Sequence, residues 1–328
     1  MSENLIEISN LTKHFPIYGG VFLRQIKTVF ALNGINLQVK KGETVGIVGE
    51  SGCGKSTLGK TMLRLYDPTA GNIEFAGKDI THISQKELRS IRRNMQIIFQ
   101  DPFESLNSRH TIGEILEEPF IIQNIGSSKE RKKSVCTLLE KVELPASSVN
   151  KYTHEFSGGQ RQRIGIARAI ALEPKLIVCD EPVSALDVSI QSQILNLLLQ
   201  LQRDMGLTYV FIAHDLAVVK HISDHIAVMY LGKIVEYADS ETIYRDARHP
   251  YTKALISAIP LPDPKIKREK IILKGDVPSP INLPNGCSFH TRCPVAIDIC
   301  QSQVPALKSF DRAGLHQVAC HLVKPEQN

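Results

Sequence analysis

Two textures alternate along most of the chain. Short segments dense in Val and Ile, Thr44–Val48, Gln96–Phe99, Leu176–Cys179 and Thr208–Ala213, have the length and β-branched content of buried strands. Longer segments between them carry apolar residues every third or fourth position, the spacing of amphipathic helices. The clearest predicts a helix over Val188–Asp204, with Ile190, Ile194, Leu197, Leu198 and Leu201 on one face and Asp187 at the N-cap position. This alternation predicts an α/β domain around a parallel sheet. Between Gln100 and Leu172 the pattern turns mainly helical, including Ile112–Gln123 and Lys129–Val142, so a helical insertion is expected to split the sheet into two halves. After Ile259 six prolines between Pro260 and Pro284, interleaved with Lys265, Lys267, Arg268 and Lys270, predict an extended connector leading to a compact tail with four cysteines.

Composition narrows the class. With 328 residues, 42% apolar and 22% charged, the chain has the content of a folded protein and excludes collagen, coiled coil and disorder. Apolar runs such as Tyr209–Ala213 fall far short of the roughly 20 residues of a spanning helix. The start, Met1 to Ile8, lacks the basic and apolar regions of a secretory signal, so a cytosolic setting and seven thiols are expected. The net charge of +5 is spread along the chain without a basic stripe or stacking aromatics, so no nucleic-acid partner is expected.

The candidate chemistry begins at Gly49, Glu50, Ser51, Gly52, Cys53, Gly54, Lys55 and Ser56, followed by Thr57, which together spell G-x-x-x-x-G-K-[ST] between a predicted strand and a helix over Ser56–Leu65. Glycines let backbone N–H groups curl round an anion, and the helix start adds partial positive charge. Lys55 suits β- and γ-phosphates, and the Ser56 hydroxyl suits Mg²⁺. Cys53 reads as a small space-filler. The strand Leu176–Cys179 delivers Asp180 and Glu181 at its C-terminal end, where α/β sheets place ligands. Asp180 suits Mg²⁺, and Glu181 suits polarising the water that attacks a γ-phosphate. Ser157, Gly158, Gly159 and Gln160 open a helix predicted over Gln160–Leu172, with Ile164, Ala167 and Ala171 on its buried face and Arg161, Arg163 and Arg168 along it. On residues alone this start reads equally as an anion site or as a plain N-cap with a tight turn.

Taken in order, the phosphate loop, Gln100 after a strand, Phe156 to Gln160, Asp180 with Glu181, Ser184 to Asp187, and His214 after the strand Thr208–Ala213 resemble the nucleotide-binding domain of ATP-binding-cassette proteins over about residues 4 to 250. The resemblance implies a P-loop NTPase of that type, with a RecA-like core sheet, an antiparallel β subdomain and an α-helical subdomain over about 100–172. It implies that Ser157 to Gln160 complete the ATP site of a partner subunit. It further implies that Gln100 links γ-phosphate and Mg²⁺ to a membrane partner, that His214 contacts the γ-phosphate, and that the Asp187 loop communicates across the dimer. Phe15 is the best match to the aromatic that stacks on adenine. Pro16 to Val29 follow as an insertion, which brings Tyr18 and Phe30 in as alternatives. Phe156 stands where leucine is commoner.

Phe99 to Asn107, Arg248 to Leu255, Gly275 to Pro280 and Gly286 to Pro294 look like the ATP-binding subunits of oligopeptide and dipeptide permeases. Ile112–Pro119 and Ile259–Pro264 are similar to the second of the two ATPase subunits usual there, and Ser108 replaces a commoner proline. The implied role is ATP-driven peptide import at the cytoplasmic face of the membrane. The partners would be a related ATPase subunit, two transmembrane permease subunits and an extracytoplasmic binding protein. Nickel or another small solute is the alternative cargo, and a soluble cassette ATPase the alternative class.

The domains expected are a nucleotide-binding domain over 1–258 and a proline-rich linker with a cysteine-rich tail over 259–328. Cys287, Cys293, Cys300 and Cys320 are spaced C-x5-C-x6-C-x19-C, an arithmetic that leaves Zn²⁺, an iron–sulfur cluster and free thiols open, with His290, His316 and His321 as substitutes. The permease resemblance implies a [4Fe–4S] cluster on the four cysteines.

Overall fold

The computed structural model describes residues 3–20, 24–101, 105–259, 270–311 and 314–324. Its strands are β1 (Asn4–Gly19), β2 (Arg24–Lys40), β3 (Thr44–Val48), β4 (Ala70–Phe75), β5 (Lys78–Asp79), β6 (Met95–Ile98), β7 (Leu176–Asp180), β8 (Thr208–Ile212), β9 (His225–Tyr230), β10 (Lys233–Asp239), β11 (Lys308–Ser309) and β12 (Gln317–Val318). Its helices are α1 (Lys55–Met62), α2 (Gln85–Arg92), α3 (Ile112–Ile122), α4 (Ser128–Lys141), α5 (Gly158–Ile170), α6 (Val188–Met205), α7 (Leu216–Ile222), α8 (Ser240–Asp246), α9 (Pro250–Ser257) and α10 (Ile299–Ser302). The chain divides into two compact units. The first holds Met1–Leu5, Val39–Glu43 and His82–Ile212; the second holds Ile6–Gln38, Thr44–Thr81 and Ala213–Asn328.

In the first unit β6, β7 and β8 pair in parallel, with Ile97 opposite Val178 and Val178 opposite Val210. The strands β7 and β8 are buried throughout, which is why they read as continuous apolar runs. The helices announce their own starts. Ser84 with Glu87, Thr111 with Glu114, Ser127 with Glu130 and Ser157 with Gln160 each close a reciprocal capping box, satisfying two otherwise orphan N–H groups per helix. The helix α6 buries Ile194, Leu195, Leu197, Leu198 and Leu201 and ends at Gly206 in the left-handed conformation. Asp187 occupies its N-cap position but makes no side-chain cap bond.

In the second unit β3 pairs in parallel with β9, and β9, β10, β12 and β11 continue antiparallel. A separate four-stranded sheet runs β2-β1-β4-β5, with Ile6 opposite Phe75 and Ile8 opposite Ile73, all four buried. The supposed insertion over Pro16 to Val29 is corrected here. β1 continues to Gly19 and β2 starts at Arg24 as its neighbour, so the described part of this stretch is the outer end of a long hairpin. Its side chains are half-exposed or exposed on both faces, so no alternation marks it in the sequence.

Helix bounds also move. α1 ends at Met62, not Leu65, because Arg64 turns left-handed (φ 53°) and buries its guanidinium against the Ile80 and Thr81 carbonyls. α5 begins at Gly158 because Ser157, not a later residue, caps it. The connector prolines Pro260, Pro262 and Pro264, with Lys265, Lys267 and Arg268, lie outside the described residues. In the tail, β12 pairs with β10, setting Val318 against Glu236 and Gln317 against Tyr237.

Candidate functional site

In the second unit, β3 is buried along its length and ends at Val48, so Gly49 opens the loop. Backbone shape, more than side chains, makes the loop that follows. Gly54 has φ of 104°, and a Cβ there would sit 2.4 Å from the Ala31 carbonyl oxygen; a Cβ on Gly49 would sit 2.3 Å from the Met229 carbonyl oxygen. Gly54 is also the N-cap of α1 and brings no side chain to its first turn, where backbone N–H groups lack helical partners and favour an anion. Lys55 is only 5% exposed, and its Nζ donates to the carbonyls of Gly49 at 2.8 Å and Glu50 at 3.1 Å. A buried ammonium curled over a loop of this shape is a site for a polyanion. Burial pushes the Cys53 thiol up, against the opposing pull of Lys55, as suits an inert space-filler. His214 follows β8 as an exposed residue, while Ala213 N–H donates to the Ile47 carbonyl. Phe15 is half-buried, its ring edge-on to Tyr66 at 5.4 Å and under Lys13 Nζ at 4.8 Å.

The first unit gathers the acidic residues. Asp180 ends β7 and is 4% exposed. Glu181 follows it in the left-handed region, φ 48°, an uncommon conformation for a non-glycine residue that costs about 1 kcal/mol or more. Its N–H donates to the Ile212 carbonyl at 3.0 Å, its carbonyl accepts from Ser184 Oγ, and its Oε2 accepts from Gln100 Nε2 at 3.2 Å. Gln100 and Glu181 are therefore in direct contact.

At the start of α5, Ser157 Oγ accepts from Gln160 N–H at 3.4 Å and Gln160 Oε1 accepts from Ser157 N–H at 3.0 Å. Within this chain the N-cap reading is the one these two side chains satisfy. The arginines of α5 are occupied internally: Arg161 with the Thr153 carbonyl, Arg163 with Glu143 at 2.6 Å, and Arg168 with the Ser105 carbonyl. Phe156, just before the cap, is buried, being 6% exposed.

The tail departs from expectation. Cys287, Cys293, Cys300 and Cys320 are thiols, and among the described residues no three His, Cys, Asp or Glu side chains are grouped closely enough to hold a metal ion. Other contacts dock this segment. Phe289, 1% exposed, packs against Tyr230 and Tyr251; His316 Nε2 meets the buried Glu236 at 2.8 Å; and Arg292 pairs with Glu50. The thiols nevertheless feel one another: Cys287 is raised by burial and then by Cys300, Cys320 and Cys293.

Sequence reasoning missed two residues at the loop, Tyr251 and Arg292. Both lie in segments singled out above, yet neither carries a local signal, because their partner Glu50 is 201 and 242 residues away.

Residues 32–184 match the family model described as ABC transporter, and residues 235–300 match that of the oligopeptide/dipeptide transporter C-terminal region. The chain is 54% identical to the oligopeptide transport ATP-binding protein AppF of Bacillus subtilis, covering 98% of each. It is 54% identical to a putative peptide import ATP-binding protein of Brucella ovis, over 96% of this chain and 97% of that protein. Among solved structures, the dimeric post-hydrolysis state of the ATP-binding cassette MJ0796 bound to ADP and Pi superposes with a TM-score of 0.64 at 32% identity, over 72% of this chain and 98% of that one. Among the described residues no helix is long and apolar enough to cross a membrane.

Proposed function

The chain belongs to the ABC transporter family, and on that premise we propose that it is the ATP-hydrolysing subunit of an importer of di- and oligopeptides. One observation carries the reading. A phosphate loop with a buried lysine sits in a chain that matches oligopeptide ATP-binding proteins from end to end and carries the C-terminal region of that transporter group.

The roles follow from the chemistry of each group. Lys55, the N–H groups around Gly52 to Thr57 and the α1 start take the β- and γ-phosphates, and Phe15 stacks on the base. Ser56, Gln100 and Asp180 offer hydroxyl, amide and carboxylate oxygens, the donor set of a hard cation, so they would hold the Mg²⁺ that neutralises phosphate charge. Glu181 takes the proton from the attacking water. The water oxygen bonds to the γ-phosphorus as the bond to the β-γ bridging oxygen breaks, and ADP leaves with that electron pair. His214 steadies the γ-phosphate, and Ser157 to Gln160 with Asp187 complete the second nucleotide site in a related ATPase subunit. At the cytoplasmic face of the membrane the chain docks on two transmembrane permease subunits, which carry the peptide delivered by an extracytoplasmic binding protein. The described placement does not group Cys287, Cys293, Cys300 and Cys320 closely enough to hold a metal, so a [4Fe–4S] cluster on them rests on their sequence spacing and the permease resemblance alone; iron and sulfide analysis after anaerobic purification tests it, and zinc without iron overturns it.

The function is tested in membrane vesicles holding the assembled transporter. Phosphate release that rises on adding peptide-loaded binding protein, and is lost in Lys55→Ala, is expected. Release that rises with nickel-loaded binding protein and not with the peptide-loaded form moves the cargo.

A further inference from the structure

Glu50 is an acid inside a loop shaped for a polyphosphate, and the fold does not leave it bare. Arg292, which lies between two of the tail cysteines, donates from Nη1 to Glu50 Oε2 at 2.6 Å and from Nη2 to Oε1 at 3.1 Å. This fork-to-fork pair is the strong, directional form of ion pairing. It is also partly shielded, with the side chains 8% and 29% exposed. The same residue is held twice more. Its N–H donates to the Tyr251 hydroxyl at 2.8 Å, and its carbonyl accepts from Lys55 Nζ at 3.1 Å. The Tyr251 ring packs in turn on Phe289 of the tail, at 5.3 Å between centroids. One loop residue is thus fixed at N–H, carbonyl and carboxylate, and two of the three anchors depend on the docked tail or on the aromatic cluster it joins.

We propose that Arg292 is a positioning residue for the nucleotide site: the cysteine-rich tail supplies the cation that neutralises Glu50 and fixes the phosphate loop, so that ATP affinity depends on the tail being docked. The inference rests on the reading of the loop as an ATP site. Without Arg292 the Glu50 carboxylate stands uncompensated beside the place of the triphosphate, and like charges in a partly desolvated site repel. Release or rearrangement of the tail would weaken nucleotide binding by the same route.

The test is equilibrium titration of the full chain with MgATP in a Glu181→Gln background, at low and high salt, with melting temperature followed in parallel. Arg292→Gln is expected to weaken MgATP binding on the order of tenfold at low salt and less at high salt, where the repulsion is screened. Adding Glu50→Gln to it removes the unpaired charge and should bring affinity back to within about threefold of the parent. Arg292→Lys, which keeps the charge and loses the fork, should fall between them. A tail that merely supports the fold predicts no rescue by Glu50→Gln and no salt dependence. Affinity of Arg292→Gln within twofold of the parent, or a double variant as weak as the single, overturns the proposal. Should Arg292→Gln fail to fold, Arg292→Lys and the double variant decide it by the same criteria. Absence of MgATP binding by the parent would instead refute the ATP reading of the loop.

Discussion

Glu181→Gln separates chemistry from architecture at the end of β7. The substitution is isosteric and keeps an oxygen that can accept from Gln100 Nε2, now 3.2 Å from the carboxylate. It leaves the left-handed backbone at φ 48° as strained as before. Stability should therefore change by less than about 0.5 kcal/mol. What disappears is basicity, since an amide oxygen does not take a proton from water near neutral pH. General-base catalysis contributes about 10²–10⁴ in rate, or about 2.7–5.4 kcal/mol on the barrier. Single-turnover release of labelled phosphate from the assembled transporter should slow by that factor while MgATP affinity is kept. Nucleotide-bound dimer should then accumulate on gel filtration. Glu181→Gly supplies the control. It relieves strain of about 1 kcal/mol and adds unfolded-state entropy costing about 0.5–1 kcal/mol, so the melting temperature should move by no more than about 4 °C. Its turnover should be as poor as that of Glu181→Gln. Hydrolysis by Glu181→Gln within threefold of the parent refutes the base assignment.

Three further outcomes follow from the same geometry. Gly54→Ala forces a Cβ to 2.4 Å from a backbone carbonyl at φ 104°, so strain of about 1–2 kcal/mol plus overpacking of about 1–3 kcal/mol should lower the melting temperature and abolish MgATP binding. Ser157→Ala removes the capping box of α5 and should cost about 1 kcal/mol of stability by denaturant unfolding; a loss of transporter turnover well beyond that, with this chain's own MgATP affinity unchanged, is the sign of a role at the partner's nucleotide. Burial, opposed by Glu236, depresses His249 to about 4, so the unfolded state binds the proton more readily; stability should be full above about pH 6.5, fall as pH drops from there to about 4, and fall less in His249→Asn, which keeps an N-cap acceptor for Tyr251 N–H.

Legibility in the sequence tracked how local the cause was. The phosphate loop could be read because its shape comes from glycines within a few residues of Lys55, and the Ser157 cap of α5 because Ser157 and Gln160 cap each other across three positions, although the helix starts at Gly158, two residues before the predicted bound. The buried strands β7 and β8 could be read because both faces are apolar. The hairpin end around Gly19 and Arg24 could not, since neither face is buried enough to impose a period of two. Nor could the docking of the tail. The pairs Arg292 with Glu50 and His316 with Glu236 bridge 242 and 80 residues, and no spacing rule links such positions. The cysteine spacing drew attention to a metal, whereas the described contacts of the tail are aromatic and ionic.

The most direct measurement of the central claim is uptake of labelled di- to pentapeptides, and of nickel, by cells deleted for this chain and complemented with the parent or with Glu181→Gln. Peptide uptake lost on deletion, restored by the parent and not by Glu181→Gln, is the predicted result. Peptide uptake unchanged by the deletion while nickel uptake is lost would contradict a peptide importer, and peptide uptake restored equally by both forms would contradict hydrolysis at Glu181 as its driving step.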